Sequence, residues 1–166
     1  YMQKLNAELG EMVQLGTEDR GEILYLEKLD STHLIRIVSE IGGRLPIHCT
    51  GLGKAMLAYM PDSRRNRIIR EKKLNPYTPN TITNASVLER ELETIRQQGY
   101  AIDDGEIMLG LRCVAAPIFD GKGQVKYALS ISGMQGNLEG ERLEKITKRV
   151  VAAAASITNT LKQTSL

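Results

Sequence analysis

The chain begins YMQKLNAELGEMVQL, which reads as the end of a helix running into a strand. GEILYLEKLD (Gly21 to Asp30) then alternates, with Ile23, Tyr25, Glu27 and Leu29 on one face and Leu24, Leu26 and Lys28 on the other. HLIRIVSEI (His33 to Ile41) is rich in β-branched residues and follows the short turn Asp30-Ser31-Thr32, so the two segments predict a hairpin. GGRLP (Gly42 to Pro46) breaks that pattern. The period then lengthens. TGLGKAMLAYM predicts a helix, and PDSRRNRIIREKK a second, with Pro61 and Asp62 at helix-start positions. LNPYTPNTITN is a loop by its prolines and asparagines. ASVLERELETIRQQG is an amphipathic helix in which Leu88, Leu92 and Ile95 share a stripe that Gly99 ends.

After YAIDDGEIMLG, the segments LRCVAAPIFD and VKYALSISG flank the turn DGKGQ and predict an antiparallel hairpin. A long helix starts near Gly140, with Leu143, Ile146, Val150, Ala154, Ile157 and Leu161 three or four residues apart. The order is two strands, three helices, three strands and a helix, without repeats or βαβ alternation. It predicts one α+β domain with a largely antiparallel sheet and helices packed against it.

Composition narrows the function classes. The 166 residues are 42% apolar and 25% charged, enough for one globular core. With no Trp and a single Phe, that core must rest on aliphatic residues and Met. A net charge of +2 is too small to mark the whole domain as a nucleic-acid binder. Two distant cysteines, Cys49 and Cys113, form no disulfide framework and no four-ligand zinc spacing, which favours a reducing, cytoplasmic setting. No segment is apolar enough over some 18 residues to span a bilayer, so no membrane partner is expected.

Four stretches could carry chemistry. In HCTGLGKAML, Gly51 and Gly53 permit close approach, and a helix starting near Thr50 would turn its unpaired N–H groups outward beside Gly51 and Leu52, where they could hold a carboxylate or phosphate. The plainer reading, that Thr50 caps the helix and the glycines allow close packing, is favoured on this stretch alone. His48 and Cys49 are adjacent on an extended segment and point apart, so a thiolate–imidazole pair is disfavoured. Cys113, among Leu111, Val114 and Ala115, reads as a buried apolar group before a nucleophile.

In YALSISG, Tyr127, Leu129 and Ile131 face a core, while Ala128, Ser130 and Ser132 make a row of small side chains with two hydroxyls. Pocket and solvent face weigh equally for that row. Asp103, Asp104 and Glu106 in YAIDDGE could bind a cation, form a solvated turn, orient a ligand hydroxyl or cap a turn. The basic run RRNRIIREKK reads as a solvated helix face.

In this order, GGRLPIHCTGLGKAMLAYMP, GYAIDDGEIMLGLRCVAAPIFDGKGQVKYALSISG and the long last helix resemble the C-terminal effector-binding domain of the IclR family of bacterial transcriptional regulators. The likeness runs over essentially the whole chain, and LGLRCVAAPIFD to SISG is its specific part, with TGLGKA in support. It implies a GAF-like fold over residues 15–166, preceded at 1–14 by the end of an interdomain linker helix and the strand it enters. A helix-turn-helix DNA-binding domain would lie upstream, so operator DNA would be contacted only through that domain. The resemblance also implies a homo-dimer or tetramer, a small organic acid as effector, and neither catalysis nor a cofactor.

By alignment with the family motif, the polar groups of the pocket would be the backbone at Gly51 and Leu52, then Asp103, Cys113, Ser130 and Ser132. The apolar wall would be Leu34, Ile37, Leu45 and Leu111. Two residues depart from the family pattern. Leu52 is bulkier than the alanine often found there, which would shrink the pocket or redirect the ligand. Gly105 replaces an acidic residue common after the two aspartates, which weakens the cation reading. A hydroxy or oxo acid, such as a sugar-acid catabolite, fits this chemistry. The rivals are an enzyme using Cys113 or Cys49 as a thiolate, and a pure oligomerisation module.

Overall fold

The computed structural model describes residues 1–33 and 40–164. Helix α1 (Met2–Leu9) leads into strand β1 (Met12–Asp19), which turns back into β2 (Glu22–Leu29). The short β3 (Arg44–Pro46) follows, then helices α2 (Gly51–Leu57), α3 (Asp62–Lys72) and α4 (Ala85–Gln98). Strands β4 (Ala101–Asp104), β5 (Leu111–Phe119) and β6 (Val125–Met134) precede the long α5 (Gly140–Thr164). The strands form one sheet in the order β3-β2-β1-β6-β5-β4, and every pairing is antiparallel. The α+β expectation holds.

The sheet is buried on both faces. On one, Val13, Val114, Ile118, Leu129 and Ile131 pack against Leu5 and Leu9 of α1 and Ile146, Val150 and Ala154 of α5. On the other, Ile23, Ala115 and Ala128 pack against α2 and against Leu88, Leu92 and Ile95 of α4. Alternation from Leu111 to Ile118 in β5 and from Tyr127 to Ser132 in β6 sends neighbours to opposite sides of the sheet.

The structure shows a hairpin that the sequence pattern did not predict. β2 pairs with the strand before it, β1, through a two-residue turn at Arg20 (φ 55°) and Gly21 (φ 77°). Both residues are left-handed, as a tight hairpin of this twist requires. The segment expected to pair after it, with Leu34 and Ile37, lies largely outside the described residues. Among the described residues β2 has β3 as its other neighbour, along Glu22 to Leu24, so the end of GGRLP is an edge strand there.

The expected single face for Ile23, Tyr25, Glu27 and Leu29 is also corrected. Leu15 pairs with Glu27 and Gly16 with Tyr25, which leaves Leu26 as an extra residue on β2. This bulge inverts the alternation. Ile23 and Tyr25 therefore join the core under α2, whereas Leu29 packs on the α5 side.

The basic run forms α3 as expected, but it is not wholly a solvated face. Arg65 turns inward, is 6% exposed, and donates to Met60 O, Asp62 and Glu89.

Candidate functional site

Small residues bring α2 close to the sheet. A Cβ on Gly16 would lie 3.0 Å from Leu52 Cδ1, and one on Gly51 would lie 3.4 Å from the Cβ atoms of Ala115 and Cys113. A Cβ on Gly53 would stand 2.0 Å from the Ile47 carbonyl oxygen, so only glycine fits the tight entry into the helix. Thr50 caps that entry as expected: Oγ1 accepts from Gly53 N (3.2 Å) and donates to Pro46 O (2.9 Å). The N–H groups of Gly51 and Leu52 are among the first of the helix, where no intrahelical acceptor exists.

Beyond the helix start, the same face of the sheet turns polar. Register sets Asp103 opposite Cys113 and Cys113 opposite Ser132, while Ala115 faces Ser130 and Ser130 faces Gln14. Directly opposed residues share a face. A cavity of about 110 Å³ lies between this polar row and α2. Gly51, Leu52, Asp103, Cys113, Ser130 and Ser132 all line it, as do the apolar Leu45 and Leu111. Of the residues named from the sequence, only Leu34 and Ile37 fall outside the described part. Ser130 and Ser132, evenly divided between pocket and solvent on sequence, are each 2% exposed and belong to the pocket.

Gln14 and Tyr25 also line the cavity and were not singled out from the sequence. In the sequence Tyr25 is one position on an alternating face, and Gln14 lies in the strand that the leading helix enters. Gln14 Oε1 accepts from Ser132 Oγ at 2.7 Å and Ser130 Oγ at 3.3 Å. Both hydroxyl protons are thus directed to one amide oxygen.

Asp103 is fully buried. Its Oδ1 accepts from Glu106 N at 2.7 Å and closes the turn after β4, which realises the capping reading. Its Oδ2 has no hydrogen-bond partner. Burial first, then the charge of Glu106, pushes its carboxyl up to about 7, against the opposing N–H groups of Glu106 and Ile107 and the charge of Lys54.

Behind Asp103 stands a buried ion pair that the sequence reading missed. Lys54, 0% exposed, donates from Nζ to Glu106 Oε1 (2.5 Å), Ile102 O (2.7 Å) and Glu91 Oε1 (3.0 Å). Burial works against its charge, but Glu106 and Glu91 outweigh it and hold the ammonium above its usual range. Burial in turn lifts Glu106 despite Lys54, and Glu106 Oε2 lacks a partner. The one sequence signal was a lysine inside the otherwise apolar GLGKAML, four residues after its cap.

The cysteines offer no activated thiolate. Burial raises Cys113 well above the usual thiol range and Cys49 to about 12. His48 is a structural residue, with Nε2 donating to Asn75 O at 3.0 Å. Among the described residues, no group of three or more His, Cys, Asp or Glu side chains is placed to hold a metal ion, and no helix is long and apolar enough to cross a membrane. Asp104 points away from Asp103 and pairs with Arg112, so the acidic run makes no joint cation site.

The family model for the bacterial transcriptional regulator IclR C-terminal domain matches residues 1–159. The chain belongs to the IclR family. The Transcriptional repressor IclR of Escherichia coli strain K12 is 35% identical over 159 residues, which is 95% of this chain and 58% of that protein. The chain therefore spans rather more than half of this curated relative.

Solved IclR-family structures share the fold. The IclR of Thermotoga maritima superposes with a TM-score of 0.93 at 35% identity, over 97% of this chain and 65% of that one. An IclR homologue from Microbacterium hydrocarbonoxydans, solved in complex with 4-hydroxybenzoate, gives 0.87 at 26% identity, over 98% of this chain and 65% of its own. Curated relatives from Escherichia coli are named transcriptional repressors.

Proposed function

We propose that this domain senses a small organic acid in the cavity between α2 and the sheet, and thereby modulates DNA binding by a longer regulator. One observation carries the proposal: Asp103, whose Oδ2 is buried and unpartnered, lines a cavity whose other polar lining groups, Gln14, Ser130 and Ser132, are bonded to one another. A buried polar atom without a partner is costly, and a ligand that supplies one gains affinity there. The neighbour solved with 4-hydroxybenzoate supports an acid as the ligand class.

The effector's carboxylate sits at the N–H groups of Gly51 and Leu52, with Asp103, Ser130 and Ser132 around the remaining oxygens. The cavity of about 110 Å³ is smaller than the ~150 Å³ void that holds benzene. A hydroxy or oxo acid of few carbons fits without rearrangement, and Leu52 and Met108 must move for anything larger. The helix-turn-helix domain lies upstream of α1, which is the end of the connecting helix. The effector acts by binding two subunit arrangements unequally, in a cytoplasmic homo-dimer or tetramer. Burial of both thiols speaks against thiolate catalysis.

A thermal-shift screen of C2 to C4 hydroxy and oxo acids tests this reading. An acid present at 100 times its dissociation constant adds about 2.7 kcal/mol, or a rise of roughly 5–11 °C for a domain of this size. Undiminished binding after combining Asp103→Ala, Ser130→Ala and Ser132→Ala would remove the site from consideration. A screen without hits would leave the oligomerisation module as the better account.

A further inference from the structure

We infer that Asp103 engages the effector as a neutral carboxylic acid: Oδ2–H donates to a carboxylate oxygen of the ligand, and where Asp103 is ionised beforehand, binding takes one proton from solvent. This rests on the organic-acid reading above and adds to it that the sensor responds to pH.

The geometry leaves little alternative for an anion in this cavity. Among the described residues lining it there is no Lys, Arg or His. Lys54, which stands behind Asp103, is committed to Glu106, Glu91 and the Ile102 carbonyl. Ser130 and Ser132 both direct their hydroxyls to Gln14 Oε1. An effector carboxylate therefore meets the helix-start N–H groups and Asp103 Oδ2. If Asp103 were ionised, two carboxylates would face each other in a low-dielectric site with no cation between them among the described residues.

Other titratable groups around Asp103 reinforce the neutral form. Glu106, in the turn after β4, adds negative charge. Lys54 of α2 opposes it, itself balanced by Glu91 of α4. Cys113 of β5, Tyr25 of β2 and Cys49 before α2 are all pushed upward by burial and remain uncharged near neutrality. Asp104, the next residue of β4, is paired outward with Arg112. With its carboxyl raised to about 7, Asp103 can hold a proton at neutral pH.

The balance is one effector anion plus one proton joining ionised Asp103 to give a complex of unchanged net charge. Below about pH 7 the proton is already on Asp103 and affinity is level. Above it, one-proton linkage raises the dissociation constant about tenfold per pH unit.

Titration calorimetry of the chain with acetate, glycolate, glyoxylate and pyruvate at about pH 6, 7, 8 and 9 decides the matter. At pH 8 the measurement is repeated in HEPES and in Tris, whose different ionisation heats count the protons. The expected result is uptake approaching one proton per acid bound and about a tenfold weakening from pH 8 to 9. Asp103→Asn, which keeps a donor at the same place, should bind without uptake and with level affinity. Binding by the wild type with no proton uptake and level affinity overturns the inference and leaves the acid-sensing reading standing. If none of the four acids binds at any pH, the acid-sensing reading fails and the inference falls with it. The proton count on the wild type is decisive even if Asp103→Asn does not fold.

Discussion

Replacing Lys54 by Met removes a charge and keeps most of the side-chain volume. The ammonium is fully buried and lies 2.5 Å from Glu106 Oε1. Glu106 is itself 6% exposed, and its second oxygen has no partner. Without Lys54, a carboxylate remains inside the protein with only its neighbouring backbone for support. Breaking one partner of a buried pair typically costs about 3–5 kcal/mol. In a domain of this size each kcal/mol moves the midpoint by about 2–4 °C, so Lys54→Met should melt roughly 6–20 °C below the wild type near pH 7.5.

Changing both residues, to Met and Gln, removes both charges. The double variant should recover most of the loss, because a buried pair and a neutral replacement are often close in stability. The pH dependence has a definite sign. In Lys54→Met the Glu106 carboxyl is raised by burial with no cation against it, so the destabilisation grows as pH rises through that raised value. It should shrink as pH falls and Glu106 becomes protonated. Urea and thermal unfolding of the four proteins at about pH 5 and 7.5 give the full cycle. A single Lys54→Met variant within about 2 °C of the wild type at pH 7.5, or a double variant equal to the sum of its parts, would refute the reasoning.

Asp103 should shape acid stability as well. Its carboxyl rises from 3.8 to about 7 on folding, so the folded state holds the proton more tightly. The stabilisation is complete below about pH 4 and is lost as pH rises to about 7, up to ~4 kcal/mol by linkage. Asp103→Asn, followed by urea unfolding against pH, should lack that slope. The two glycines of α2 should separate cleanly. Gly53→Ala puts a methyl 2.0 Å from Ile47 O and should abolish soluble, folded protein on expression. Gly51→Ala meets its neighbours at 3.4 Å and should stay within about 1 kcal/mol of the wild type by thermal melt. Finally, iodoacetamide at neutral pH should label Cys49 and Cys113 far more slowly than in urea-unfolded chain, because burial disfavours both thiolates. Fast labelling of either thiol in the folded protein would reopen the enzymatic reading.

The helices were the most legible elements. Leu88, Leu92 and Ile95 are all completely buried along α4, and the stripe from Ile146 to Ala154 faces the sheet. Their period is local and survives whatever the fold around them does. The paired motifs TGLGKA and LGLRC–SISG also marked most of the cavity, because small residues and hydroxyls next to a helix start keep the same character in one dimension as in three.

What the sequence left open depends on partners far away in the chain. The β1–β2 hairpin and the phase of β2 are not legible in the sequence, because pairing decides register and the extra residue at Leu26 inverts the alternation. Gln14 became a pocket residue only when β1 was laid beside β6, 116 residues from Ser130. The even choice between pocket and solvent for Ser130 and Ser132 was settled by α2 closing over them, which single-strand alternation does not record. Lys54 and Glu106 are 52 residues apart, and each alone looks like an ordinary surface charge. Periodicity and small-residue spacing are set along the chain, so the sequence by itself determined the elements and the character of the site. Register, burial of charge and the unsatisfied oxygen of Asp103 arise only between elements, and the tertiary structure alone decided them.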